Sequence, residues 1–180
     1  MVKRVVTIAI IALLLVVCSF SLSARPTKGI ALGAQIGAMA TGVLVDVPAG
    51  PLAISGGINY PLLVKYIEFL AGESFITDVI PFMMVSADLS YPIAIGENFD
   101  LKFGLSTLAG TDFKEGIMGT VGAMIKGEYW LPQKKVGLFF HMDVPFWAYM
   151  ATKETSNSII DPGLPLLGIF TTRAGLLWAL

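Results

Sequence analysis

Apolar residues occupy every second position between residues 136 and 147 of this chain. The apolar set is Val136, Leu138, Phe140, Met142, Val144 and Phe146, and the positions between them hold Gly137, Phe139, His141, Asp143 and Pro145. A repeat of two residues places alternate side chains on opposite faces of a β-strand. We therefore predict a strand with one apolar face and one face that carries His141 and Asp143.

The same alternation recurs along the chain and predicts eight strands. Their predicted ranges are 29–38, 43–47, 52–60, 80–93, 99–107, 116–130, 135–149 and 166–180. Short turns at 48–50, 96–98 and 131–134 alternate with longer connections at 61–78, 108–115 and 150–165. This alternation of lengths is typical of an antiparallel up-and-down barrel in a membrane. A single bent strand over 29–47 would give an odd number of strands instead.

One of the predicted outer loops contains a short helix. Residues 61–72 begin with Pro61, which suits a first helical position, and end with Gly72, which suits a C-terminal cap. Most of the residues between them are apolar. Such a helix either packs over the mouth of the barrel or controls the access of a hydrophobic ligand.

The first 24 residues are typical of an export signal. Lys3 and Arg4 precede a compact apolar stretch at 5–17, and small residues follow at Ser21 and Ser23. We expect cleavage after Ser23, with 1–24 as the signal region and 25–180 as one barrel domain. The only cysteine, Cys18, would leave with the signal. The alternative is a lipid attached to Cys18.

The composition favours a membrane protein built from strands. Apolar residues make up 55% of the chain, and its mean hydropathy is strongly positive. Asp88, Asp143 and Arg173 each interrupt a stretch that would otherwise suit a membrane-spanning helix. A charge is costly in such a helix, whereas in a barrel strand it points inward. A polytopic helical inner-membrane protein is therefore the weaker alternative, and the formal net charge of −1 argues against nucleic acid as a partner.

Aromatic residues cluster near the predicted strand ends, where two membrane interfaces would lie. The expected periplasmic belt is Tyr91, Phe99, Tyr129, Trp130 and Trp178, and the expected outer belt is Tyr60, Phe82, Phe146, Trp147 and Tyr149. The C-terminus adds apolar residues at alternate positions, namely Ala174, Leu176, Trp178 and Leu180.

With these features the chain resembles the small eight-stranded outer-membrane β-barrel proteins, the group of the OmpA transmembrane domain and the OmpX and OmpW types. The alternating C-terminus is similar to the assembly signal of that group, although the group usually ends in an aromatic residue and this chain ends in Leu180. The resemblance implies an all-β, antiparallel up-and-down transmembrane β-barrel in the bacterial outer membrane. It also implies outer-membrane lipids and the outer-membrane assembly machinery as partners.

The inward face of the predicted barrel carries charges. Its polar network is expected to contain Gln35, Asp46, Asp88, Lys102, Lys126, Glu128, His141, Asp143 and Arg173. Eight strands enclose just enough room for side chains, and buried charges need partners. We therefore expect a closed interior of ion pairs, in which Arg173 and Lys102 each contact carboxylates, and not a pore.

His141 and Asp143 are the candidates for catalysis, because an acid can orient a histidine as a general base. No motif supplies an activated serine, so we predict that the chain is not an enzyme. One histidine and no cysteine after export make a poor metal site, and no cofactor is expected.

The predicted function is a structural or surface-interaction role. The alternatives are a lipid-modifying enzyme and a carrier of small hydrophobic molecules with a cavity near Phe82, Phe139 and Phe146.

Overall fold

Eight antiparallel strands close into a barrel, and a ninth strand extends the wall at one end. The structure, a computed structural model, describes residues 29–62, 66, 70, 72, 83–111, 116–132 and 135–180. The strands are β1 (Ala31–Gly37), β2 (Thr41–Ala49), β3 (Leu52–Tyr60), β4 (Met83–Ala94), β5 (Phe99–Thr111), β6 (Gly116–Trp130), β7 (Val136–Thr152), β8 (Ser156–Ile159) and β9 (Arg173–Ala179).

The barrel closes where the last strand meets the first. β9 pairs with β1 from Ala31 opposite Ala179 to Gly37 opposite Arg173, and its other edge pairs with β7. The remaining neighbours are consecutive in sequence, from β1 to β7. β8 pairs with β7 over residues 148–151 and lies outside the closed ring. The predicted antiparallel up-and-down barrel of eight strands is confirmed, and a single bent strand over 29–47 is excluded.

The two ends of the barrel differ, and we name them the turn end and the loop end. The turn end holds the connections 50–51, 95–98 and 131–135 and both ends of the barrel chain, where Leu180 donates its backbone N–H to the Ile30 carbonyl at 2.9 Å. The loop end holds the connections 38–40, 61–82, 112–115 and 153–172. The loop predicted at 108–115 is shorter than expected, because β5 stays paired with β6 as far as Thr111.

Burial alternates along the barrel strands, with the polar face inside. On β7, Gly137, His141 and Asp143 are buried, whereas Leu138 and Phe140 between them are exposed by 47% and 54%. The first predicted pattern is therefore confirmed, and the face that carries the charges is the interior.

A β-bulge changes this alternation near the loop end of β7. Val121 of β6 lies opposite Trp147, and Gly122 lies opposite Pro145, so that Phe146 is an extra residue in β7. A proline has no N–H to give to the ladder, and a bulge is one of the places in a sheet where it is accepted. Beyond the bulge, Ala148 occupies an inward position that unbroken alternation would have given to the outer face.

The last strand is shorter than predicted. Residues Leu164–Leu167 form a 3₁₀ turn and Gly168–Thr171 a short α-helix, α1, and β9 begins only at Arg173. The prediction of a strand from residue 166 was therefore wrong over its first part. Pro165 in the first turn supplies a fixed φ that suits a helix start. Gly168 packs against the Asp143 carbonyl so closely that a Cβ atom would overlap it, so this segment lies folded against β7.

Two sequence predictions fall mainly outside the described residues. The export signal at 1–24 does so entirely. Of the helix predicted at 61–72, Leu62, Tyr66 and Leu70 are helical and exposed. Among the described residues, no helix has the length and apolar character needed to cross a membrane.

Apolar side chains fill the interior at the turn end. This turn-end core consists of Ala31, Leu44, Trp130, Phe139, Leu177 and Ala179. Trp130 is completely buried in it, so its predicted place in the outward aromatic belt was wrong. The indole lies inside because Trp130 is two residues from Glu128, whose side chain is also fully buried.

Candidate functional site: a charged interior beneath an apolar cavity

The structure places all nine residues of the expected polar network inside the barrel, each at most 7% exposed. They are Gln35, Asp46, Asp88, Lys102, Lys126, Glu128, His141, Asp143 and Arg173. The charged members form two clusters, and Gln35 belongs to a separate chain of hydrogen bonds.

The lower cluster lies next to the turn-end core and consists of Asp46, Lys102, Lys126 and Glu128. Lys102 Nζ lies 3.0 Å from Asp46 Oδ2 and 2.7 Å from Glu128 Oε1. Lys126 Nζ lies 3.3 Å and 2.7 Å from the same two oxygens. Two carboxylates thus face two ammonium groups, and the cluster is neutral as a unit. Ser55 adds a hydrogen bond from its hydroxyl to Asp46 Oδ2 at 2.8 Å.

Lys126 also connects this cluster to the turn-end core. Its ammonium nitrogen lies 4.7 Å from the centroid of the Phe139 ring. A cation over an aromatic face is attracted by the ring quadrupole, and the attraction is larger away from water. The charged layer and the apolar layer are therefore packed directly on each other, which leaves no gap between them at this position.

The upper cluster consists of Asp88, Ser106, His141, Asp143 and Arg173. Arg173 Nη2 lies 3.2 Å from Asp88 Oδ1 and 3.5 Å from Asp143 Oδ2. Arg173 and Lys102 therefore both contact carboxylates, as the sequence predicts. His141 has Nε2 at 2.6 Å from Asp143 Oδ1 and Nδ1 at 3.7 Å from Asp88 Oδ2. Arg173 Nη2 also lies 2.9 Å from His141 Nε2, so two carboxylates, one guanidinium and one imidazole share a single buried cluster.

Ser106 is a further member of this cluster, and the repeat of two along β5 predicts its inward position together with Lys102. Its position in the same cluster as His141 could not be predicted, because the serine comes from β5 and the histidine from β7 and only the closed barrel brings them together. Its hydroxyl donates to Asp88 Oδ1 at 2.7 Å and accepts a hydrogen bond from Arg173 Nη2 at 3.1 Å. Both ring nitrogens of His141 face carboxylates. Ser106 therefore exchanges hydrogen bonds with Asp88 and Arg173 within this cluster.

A chain of uncharged groups links three further strands. Gln35 Nε2 donates to Asn59 Oδ1 at 2.5 Å, and Asn59 Nδ2 donates to Ser86 Oγ at 3.0 Å. Ser86 was not predicted to belong to this interior, although it shares the inward face of β4 with Asp88. These bonds satisfy buried polar groups on β1, β3 and β4.

An apolar cavity of about 490 Å³ lies at the loop end, above the upper cluster. Its walls come from β4 to β8, from the connection after β1 and from the helical segment 164–171, and they include Met39, Met84, Leu108, Met118, Met150 and Phe170. The sequence predicts a cavity near Phe82, Phe139 and Phe146, and the observed cavity lies at a different position. Phe139 lies in the turn-end core, Phe146 lies on the outer face with 48% of its surface exposed, and Phe82 is outside the described residues.

Within the described ranges, no group of three or more His, Cys, Asp or Glu side chains has the arrangement of a metal site. Comparisons with protein-family models, with curated proteins and with solved structures find no match to this chain.

Proposed function

We propose that this chain is an integral outer-membrane β-barrel with a closed interior and a structural or surface-interaction role. One observation carries the proposal: every charged residue in the eight barrel strands is buried inside. These residues are Asp46, Asp88, Asp100, Lys102, Lys126, Glu128, Asp143 and Arg173. A barrel that folds in water has the opposite arrangement, with charges outside and apolar residues in the core.

The outer face of the same strands is apolar all the way round. Each barrel strand carries at least one large apolar side chain that is 44–61% exposed, namely Leu32, Val43, Ile58, Leu89, Leu105, Ile117, Phe140 and Trp178 in chain order. A continuous apolar band of this kind is far larger than the patches that soluble monomers expose. It matches the lipid-facing band of an outer-membrane barrel.

The dimensions and the aromatic residues support the same environment. A tilted strand crosses the hydrocarbon layer with about 9–11 residues, and β3 and β5 have 9 and 13 residues. Tyr129 and Trp178 are exposed on the outer face near the turn end. The rings of Trp147 and Tyr149, both half-buried, lie 5.2 Å apart near the loop end. Two such levels are where aromatic rings favour the membrane surfaces.

The packed interior supports a role other than conduction. The turn-end core, the lower cluster and the upper cluster follow one another along the barrel axis, and each consists of buried side chains. The loop end in contrast exposes Ile160 by 83%, Leu166 by 70% and Ile169 by 73%. Apolar groups at this density are typical of an interaction surface. We infer that contacts made at the loop end, and not solute flow, are what the barrel provides, and that His141 has a structural role.

The test introduces a charge on the outer face of the barrel and measures folding by the shift in gel mobility between unboiled and boiled protein. Leu105→Arg places a cation in the middle of the outer face of β5, which costs about 2–4 kcal/mol at the midplane of a bilayer. The control is Ile95→Arg, at an exposed turn position. We expect unboiled protein from the outer-membrane fraction to migrate differently from boiled protein on a detergent gel, and only Leu105→Arg to lower the folded fraction. Equal folding of both variants, or planar-bilayer conductance well above leak, would contradict the proposal.

A further inference from the structure

The cavity at the loop end has a lining suited to one class of ligand. Four of its side chains are methionines, Met39, Met84, Met118 and Met150. Methionine is unbranched and flexible, so it adapts its shape to a bound apolar molecule. The volume of about 490 Å³ lies within the range of small-molecule sites.

No charged residue is present among the described residues that line this cavity. The hydroxyl of Thr171 already donates to the Gly168 carbonyl at 3.3 Å. The amide of Asn157 belongs to an exposed residue of β8, at the rim. Thr120 and Tyr149 also line the cavity and carry one hydroxyl each. A ligand inside would therefore meet mainly hydrocarbon and thioether groups. An ionic head group buried in this cavity would have no partner, which is costly.

Apolar surface leads from outside into the cavity. Ile159, Leu167 and Phe170 all line the cavity, and they are also exposed by 56%, 40% and 52%. An apolar molecule that reaches these three side chains can move inward without crossing a polar barrier. The loop end is therefore both the mouth of the cavity and the exposed apolar surface described above.

The inner end of the cavity is closed by the upper cluster. Leu108 lines the cavity, and Ser106, the next inward residue on β5, accepts a hydrogen bond from Arg173. Thr171 lines the cavity as well, and it is two residues before Arg173. An apolar molecule that moved further along the axis would have to separate Arg173 from its carboxylates. The cavity is thus a pocket that is open at the loop end and closed at its inner end, and not part of a channel.

We propose that this cavity binds an uncharged, mostly hydrocarbon small molecule, with the apolar part among the four methionines and any polar end toward Asn157. This inference rests on the proposed membrane barrel, and it adds a ligand class to the surface role of the loop end. The bound molecule does not pass along the barrel axis, because the upper cluster blocks the way.

The methionines provide a direct test. The full barrel in lipid nanodiscs, labelled with ¹³C at the methionine methyl groups, would be titrated with perdeuterated 1-dodecanol, an uncharged fatty alcohol. We expect saturable shifts at Met39, Met84, Met118 and Met150. Met142, which faces the outside and is 43% exposed, reports alcohol dissolved in the lipid, and the buried Met124 reports changes within the barrel away from the cavity. Shifts at Met142 alone, or none at the four cavity methyl groups, would overturn the proposal.

Two substitutions of the same type locate the site. Ala148→Phe fills the cavity, because Ala148 lines it, and we expect the saturable shifts to disappear. Ala123→Phe places the same ring on the outer face of β6, where Ala123 is exposed, and should leave them unchanged. The gel mobility assay on each sample shows whether the barrel is folded. A folded wild-type barrel without saturable binding contradicts the ligand proposal alone, whereas loss of the mobility shift in the wild-type chain contradicts the membrane barrel.

Discussion

Lys102 and Lys126 lie directly opposite each other on β5 and β6, and both ammonium groups contact the same oxygen of Glu128 at 2.7 Å. Like charges in opposite positions of a sheet repel each other, and here they do so inside a closed barrel. The pair persists because Glu128 and Asp46 each contact both lysines. The four side chains therefore act as one neutral unit, and removal of one charge affects the other three.

The first prediction concerns the loss of that balance. Glu128→Gln keeps the size of the side chain but leaves one carboxylate for two buried ammonium groups. Breaking a buried ion pair by removing one partner typically costs about 3–5 kcal/mol, and we expect a loss of this size in the free energy of unfolding. Urea titration of the barrel in detergent micelles, followed by tryptophan fluorescence, measures it. Glu97→Gln, at an exposed turn position, is the control and should change stability little.

The second prediction concerns the upper cluster and uses a double-mutant cycle. Arg173→Met leaves Asp88 and Asp143 facing each other across His141, and Asp88→Asn leaves Arg173 with one carboxylate fewer. Because the two residues are 3.2 Å apart, we expect the double variant to lose less stability than the sum of the single losses. The coupling energy should be about 0.5–3 kcal/mol. Additive losses of stability would show that the contact between Arg173 and Asp88 contributes nothing. The control is the double variant of Arg173→Met with Glu97→Gln, whose losses should be additive.

Much of the interior could be predicted because a strand has a repeat of two. Once Lys102 is placed inside, Ser106 and Leu108 must follow on the same face of β5. The same rule places Trp130 inside with Glu128, and the sequence prediction failed there because proximity to a strand end was given more weight than this parity. The residues on the inward face of each strand could therefore be identified from the sequence, even where the prediction was wrong.

The helical segment 164–171 and the cavity at the loop end were harder to predict from the sequence. Residues 164–170 are apolar apart from proline and glycine, so the pattern has no polar positions from which to distinguish a strand from a helix. The cavity depends on the bulge at Phe146, which turns Ala148 inward, and on α1, which lies folded against β7. Both features arise from contacts between segments distant in sequence. A periodic pattern contains no information about such contacts.

The third prediction separates the inside of the barrel from its outside with the three tryptophans. Trp178 is 47% exposed on the outer face, and Trp130 is fully buried in the turn-end core. Trp147, near the loop end, is half-buried. Variants that keep one tryptophan each, with phenylalanine at the other two positions, would be reconstituted in brominated lipids. We expect the lipid to quench Trp178 strongly, the half-buried Trp147 less strongly and Trp130 weakly. Equal quenching of Trp130 and Trp178 would show that the inward placement of Trp130 is wrong.

The fourth prediction compares two glycines in barrel strands. A Cβ atom on Gly104 would overlap the Leu89 carbonyl oxygen and lie 2.7 Å from Ser90 Cα, so the backbone of β4 would have to move. On Gly56 the nearest atom, the Ser86 carbonyl oxygen, would be 4.0 Å away. We expect Gly104→Ala to lower the free energy of unfolding by about 1–3 kcal/mol through overpacking. Gly56→Ala should leave it unchanged or raise it by up to about 1 kcal/mol, because alanine restricts the unfolded chain. Urea titrations of both variants under the same conditions measure the difference, and a larger loss for Gly56→Ala would contradict the close packing of β4 against β5.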